Sequence, residues 1–122
     1  MNLSTLSYIF ARSPISTMGF SGATASTSIH LKGPGGEAGD GFPMPRDGVL
    51  TGLQLWDGSA RRFDTDEISF AAGDRLAVYC QNMGSNFTVK VRFNGVSTAM
   101  QIEGVPHNST LFAVVEFSLL RS

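Results

Sequence analysis

The stretch NFTVKVRFNGVSTAMQIE, residues 86–103, decides the fold. Phe87, Val89, Val91 and Phe93 alternate with Thr88, Lys90, Arg92 and Asn94. A period of two is that of a strand with one dry and one wet face. Asn94-Gly95 follows at once, and this pair favours the two positive φ values of a type I′ turn. The chain then returns as VSTAMQI. A two-residue hairpin sets Phe93 opposite Val96, and the register runs on with Val91 against Thr98, Val89 against Met100 and Phe87 against Ile102. All of these share one face, while Lys90, Arg92, Ser97 and Gln101 share the other. A lone hairpin is marginal in water, so the rest of the chain must supply more sheet.

It does so on both sides. Downstream, TLFAVVEFSLL at 110–120 is the most apolar strand in the sequence. Leu111, Ala113, Val115, Phe117 and Leu119 make one dry face. Phe112, Val114 and Leu120 make the opposite face nearly dry, broken only by Glu116 and Ser118. A strand apolar on both faces is buried on both faces. In a two-sheet sandwich each strand has one outer face, and its simplest cover is another copy of the chain. Phe112, Val114 and Leu120 are therefore the expected self-contact. Upstream, RLAVYCQ at 75–81 points Leu76, Val78 and Cys80 one way and Ala77, Tyr79 and Gln81 the other. VLTGLQLW at 49–56 aligns Val49, Thr51, Leu53 and Leu55, with Trp56 on the opposite face. Residues 68–70 form a short strand.

Between these strands lies SARRFDTDE at 59–67, which reads as an exposed loop of compensating charges. Asp64-x-Asp66 begins like a calcium loop, but no Gly stands at the sixth position and no Glu at the twelfth. The loop GPGGEAGDG at 33–41 lacks the Gly-Lys-Ser/Thr ending of a phosphate-binding loop. Its three Gly triplets are too few for a collagen helix. Residues 1–31 are rich in Ser and Thr and almost uncharged. Leu3, Leu6, Ile9 and Phe10 could line one face of a short helix, or residues 6–10 a strand, and the Ser and Thr content and the Pro14 break favour the extended form. Residues 15–20 and 24–31 read as short strands, the last as an edge strand or an arm lying on a neighbouring subunit. The expected organisation is an N-terminal arm with its Gly-rich loop over 1–41 and a main sandwich over 42–122, together one domain.

Composition narrows function. The net charge of −1 gives no electrostatic case for nucleic acid or an anionic membrane. The single cysteine, Cys80, cannot form an internal disulfide and reads as a buried free thiol. The N-terminus lacks a basic leader, a long apolar run and a small-residue cleavage site, so no signal peptide is expected and synthesis in the cytoplasm is. His30 and His107 stand 77 positions apart with no ligand at metal spacing. There is no Gly-x-Ser-x-Gly elbow. The expectation is a protein with no catalytic residues, cofactor or metal. Trp56 and Tyr79, each opposite the main apolar row of its strand, are candidate sugar-stacking residues, weighed against a second core layer or a subunit contact.

A resemblance adds to this reading. FPMPRDGVLTGL at 42–53 resembles the opening strand of trimeric jelly-roll domains in bacterial surface proteins, such as the globular heads of collagen-like spore-surface glycoproteins. It is similar also to repeated domains of tailed-phage structural proteins, which pair a Pro-Arg-x-Gly opening with a later strand ending in Asn-Gly, here residues 87–95. FAAGDRLAV at 70–78 resembles the Gly-Asp strand start of tumour-necrosis-factor-like jelly rolls. The resemblance spans about residues 42–120 and implies a homotrimer around a central apolar strand.

The resulting expectation is an all-β, antiparallel two-sheet jelly-roll sandwich, assembled as a trimer. Its expected role is structural: a tailed-phage virion protein that decorates or cements the capsid or forms a head or tail appendage. Residues 1–31 would contact the major capsid protein or other virion subunits. The alternative is a glycan- or receptor-binding surface module, at a fibre tip or on a bacterial surface.

Overall fold

Asn94 and Gly95 both have positive φ, 55° and 80°, and Phe93 pairs with Val96, so the central turn forms as the sequence reads. The computed structural model describes residues 15–23, 27–36, 38–107 and 110–120. In it the strands are β1 (Ser16–Ala23), β2 (Ile29–His30), β3 (Phe42–Pro43), β4 (Gly48–Trp56), β5 (Arg61–Phe70), β6 (Arg75–Asn82), β7 (Phe87–Phe93), β8 (Val96–Val105) and β9 (Thr110–Leu119). No helix occurs among the described residues.

The strands form two antiparallel sheets, the expected all-β sandwich. The first has the order β1-β9-β4-β5. The second has the order β2-β6-β7-β8, and β3 also pairs with β6. The last long strand lies between the first and the fourth, a return of Greek-key type that joins distant parts of the chain. β6, β7 and β8 follow one another as a plain meander. The core between the sheets is filled by the inward rows. Leu50, Leu53 and Leu55 of β4 and Leu111, Ala113, Val115 and Phe117 of β9 meet Leu76, Val78 and Cys80 of β6 and Phe87, Val89 and Val91 of β7. The inward alternation read for β6 and β9 is the one observed.

Four readings change. The first is the β7–β8 register, in which Val89 pairs with Ile102 and Phe87 with Val105, not with Met100 and Ile102. Thr98 is the cause. Its hydroxyl donates to the Val91 carbonyl (2.9 Å) and accepts from the Met100 N–H (3.2 Å). The side chain thus takes a ladder position and leaves β8 longer than its partner, a bulge. A second irregularity between Phe87 and Val89 brings Val105 inward, and Val96 stands exposed at the hairpin tip.

The second is the parity of β4. A bulge at Thr51 faces β9, so Leu50 rather than Val49 enters the core ahead of Leu53. The Thr51 hydroxyl donates to the Glu116 carbonyl at 3.3 Å.

The third is the charged stretch at 59–67. Residues 61–67 are not a loop but part of β5, hydrogen-bonded to β4 from Arg61 to Phe70. It is an outer strand of its sheet, and charges on such a strand discourage pairing with other chains. That is why its composition hides its structure.

The fourth is the division at 41/42. Residues 16–23 pair with β9 along their whole length, and Phe20 and Leu31 are buried in the common core. Residues 15–23 and 27–32 therefore belong to the sandwich and are not an arm. Of the strand read at 24–31, Ile29 and His30 pair with β6, and residues 24–26 lie outside the described residues. The strand read at 6–10 also lies outside them.

Candidate functional site

Pairing fixes which side chains share the outer face of the β1-β9-β4-β5 sheet. Ser21, Phe112, Trp56 and Arg61 stand side by side across four strands. The next row is Gly19, Val114, Gln54 and Phe63, and the row after it Thr17, Glu116, Gly52 and Thr65. Phe112 is 53 % exposed, Trp56 49 % and Phe63 74 %. A Cβ on Gly19 would lie 3.5 Å from the tip of the Phe112 ring, so the missing side chain gives that ring a flat seat. Three exposed aromatic rings on three adjacent strands of one sheet face make that face more apolar than single scattered residues would.

The edge of this surface is held by Asp57. Its Oδ1 accepts from the Ser59 N–H (2.9 Å), the Ala60 N–H (2.8 Å) and the Ser59 hydroxyl (3.0 Å). Its Oδ2 accepts from Arg62 Nε at 2.9 Å. The two backbone N–H groups first, and then the Arg62 guanidinium, hold the carboxyl well below the usual carboxylate range. This closes the β4–β5 turn and fixes Trp56 and Arg61 opposite each other.

Beside the rings is a hollow of about 290 Å³ lined by Gly52, Gln54, Arg61, Phe63, Thr65 and Glu116. It exists because Gly52 has no side chain between Glu116 and Thr65. It offers one aromatic wall with amide, hydroxyl, carboxylate and guanidinium groups around it.

Of the expected self-contact residues, Phe112 and Val114 lie within this surface. Leu120, 40 % exposed, lies at the far end of the sheet, its N–H bonded to the Asp47 carbonyl and the row broken by Glu116 and Ser118. Trp56 sits directly across from Phe112. Tyr79 does not join it, because it stands on the outer face of the other sheet. Sheets in a sandwich lie roughly 10 Å apart with their outer faces opposed, so the two aromatics share no ligand. Tyr79 packs instead against His30, with ring centroids 4.6 Å apart, and under the Arg92 guanidinium, 3.8 Å from the ring centroid. Phe63 was hidden by the loop reading of its segment. The signal was present in the alternation of Arg61, Phe63 and Thr65.

His107 lies against Phe87, with centroids 4.7 Å apart, on a different part of the chain from His30. Among the described residues no group of three or more His, Cys, Asp or Glu side chains is arranged to hold a metal ion. Against this geometry, no protein-family model, curated protein or solved structure matches the chain.

Proposed function

We propose that this chain is an architectural, non-enzymatic subunit that associates with copies of itself through the outer face of the β1-β9-β4-β5 sheet, as a structural component of a virion. The observation that carries the assembly is the cross-strand aromatic surface of Phe112, Trp56 and Phe63, with Val114 beside it. β9 supports it with a second apolar face where a monomer needs only one. The virion setting rests on the resemblance of residues 42–120 to trimeric jelly-roll domains. The mechanism is mechanical, in that covering apolar surface contributes roughly 25 cal/mol per Å² and locks subunits side by side. Light scattering tests it. At millimolar protein the expected mass is three times 13.0 kDa, falling to one copy in Phe112→Asp/Val114→Asp. An oligomer that survives this double substitution sinks the assignment of the face.

One observation favours a second reading, a glycan-binding module. The hollow over Gly52 pairs the open Phe63 ring with Gln54, Thr65 and Glu116, the combination of aromatic face and planar polar groups that a sugar ring needs. A glycan array decides for it if hits appear and disappear in Phe63→Ala.

A further inference from the structure

We propose that the outer face of the β2-β6-β7-β8 sheet holds one oxyanion, the carboxylate or sulfate of an acidic sugar, between Arg92, Lys90 and His30 beside Tyr79. The pairing builds the site. His30, Tyr79, Lys90 and Gln101 are consecutive partners across β2, β6, β7 and β8, so four polar side chains cross the sheet in one row. Arg92 and Ser97 pair in the next row. Directly opposed residues have Cβ atoms about 5 Å apart, so one ligand group can touch several of them.

Arg92 is already in place. Its guanidinium lies 3.8 Å from the Tyr79 ring centroid, and its Nε donates to the Ser97 hydroxyl at 3.1 Å. Stacking and the Nε bond fix the plane, and the terminal N–H groups keep the fork that suits a carboxylate or sulfate. Lys90 stands on the same face. Neither cation is within ion-pair distance of a carboxylate among the described residues, where the one ion pair is Arg62–Asp57. The acids nearby are otherwise placed. Glu103 accepts from the Gln101 amide at 3.2 Å, and Asp40 is exposed in the loop that carries Gly39. Two like charges on one face, neither in an ion pair among the described residues, favour an anion between them.

His30 forms the end wall. One face meets Tyr79, and a Cβ on Gly39 would lie 3.4 Å from its ring, so the Gly-rich loop abuts the imidazole. Burial and then the Arg92 charge hold the His30 pKa below its ordinary value. Two cations are far fewer than the six to ten phosphate contacts of a strongly salt-dependent nucleic-acid binder, and so match a single anionic group. Gln101, Ser97 and the Tyr79 hydroxyl at the rim suit the hydroxyls of a sugar ring. The site is independent of the assembly reading, since it lies on the opposite outer face from Phe112.

Proton NMR of the full chain tests it. The His30 and His107 ring signals are followed during titration with glucuronate, glucose 6-sulfate, inorganic sulfate and uncharged glucose. Saturable movement of His30 with an acidic sugar, a rise in its pKa on binding, a still His107 and no effect of glucose are expected. Affinity should fall about tenfold in Arg92→Gln and again in Lys90→Gln, the loss of one charge-assisted contact each. A still His30 with both acidic sugars at tens of millimolar would overturn the proposal, as would undiminished binding in both variants. Equal affinity for inorganic sulfate and the sugar sulfate would overturn the assignment to a sugar.

Discussion

Asp57 concentrates more hydrogen bonding on one side chain than any other carboxylate described above, four donors on two oxygens. Its carboxyl titrates below its unfolded value. The stability it contributes is therefore complete above the unfolded pKa, about 4, and is lost as the pH falls through the lower folded value. Asp57→Asn should cost about 2 kcal/mol at neutral pH, the scale of hydrogen bonds to a charged group. Urea unfolding from pH 8 to pH 2 checks this. The gap between wild type and variant should be flat down to about pH 5 and narrow below pH 4. A gap that widens in acid means that the carboxylate is not the stabilising form. Cys80 titrates in the other direction. Burial pushes its thiol up to about 12, so it stays protonated in the fold while the unfolded thiol ionises near 8.5. Stability should fall as the pH rises through that interval. A thiol reagent should label Cys80 in the native protein only at the rate of global opening. Labelling that stays fast in stabilising osmolyte would show a local opening of β6 instead.

At the scale of elements, the β7–β8 hairpin marks how far a pattern can be read. Asn94-Gly95 needs two positive φ values and has them, so the turn was legible from two residues. The register beyond it was not. A period-two pattern assumes that every residue takes its place in the ladder, and Thr98 instead substitutes its hydroxyl for a backbone partner. Thr51 faces the Glu116 carbonyl in the same manner, and there too the parity changes. A threonine in a strand has no sequence mark that separates the two uses. β5 was obscured for another reason. Its inward positions Arg62 and Asp64 are tied to Asp57 and to the Gln101 N–H, so polar partners take the place of the dry row that announces a strand. Thr98→Val should cost about 1–2 kcal/mol, since it unpairs the Val91 carbonyl and the Met100 N–H together. Thr98→Ser should recover most of it. Unfolding midpoints of the two variants decide, and equal losses would point to the methyl group rather than the hydroxyl.

For the whole molecule, the final strand carried the most information. Its two apolar faces told that one would be inside and that the other would lack a cover within one chain, and β9 lies in the middle of its sheet with Phe112 half exposed. The rest of the aromatic surface comes from β4 and β5, and β4 lies beside β9 through pairings 56 to 71 residues apart in sequence, which no local pattern encodes. Three half-open rings leave on the order of 300 Å² of aromatic surface, taking about half of the 150–250 Å² that each can bury. Covering it contributes about 7 kcal/mol at 25 cal/mol per Å². Bringing free subunits together costs about 4–15 kcal/mol. The two are of one size, so association through this face should depend on concentration rather than be permanent. The molecule carries its own reporter, because Trp56 is the single tryptophan and sits at the centre of the surface. Its emission should shift to the blue as the protein is raised from micromolar to millimolar concentration, in step with the scattering mass. Phe112→Asp should hold it at the red, solvent-exposed position at every concentration. A mass that rises while Trp56 stays red would move the contact to another face, and a blue emission in the dilute monomer would mean that Trp56 is already covered by its own chain.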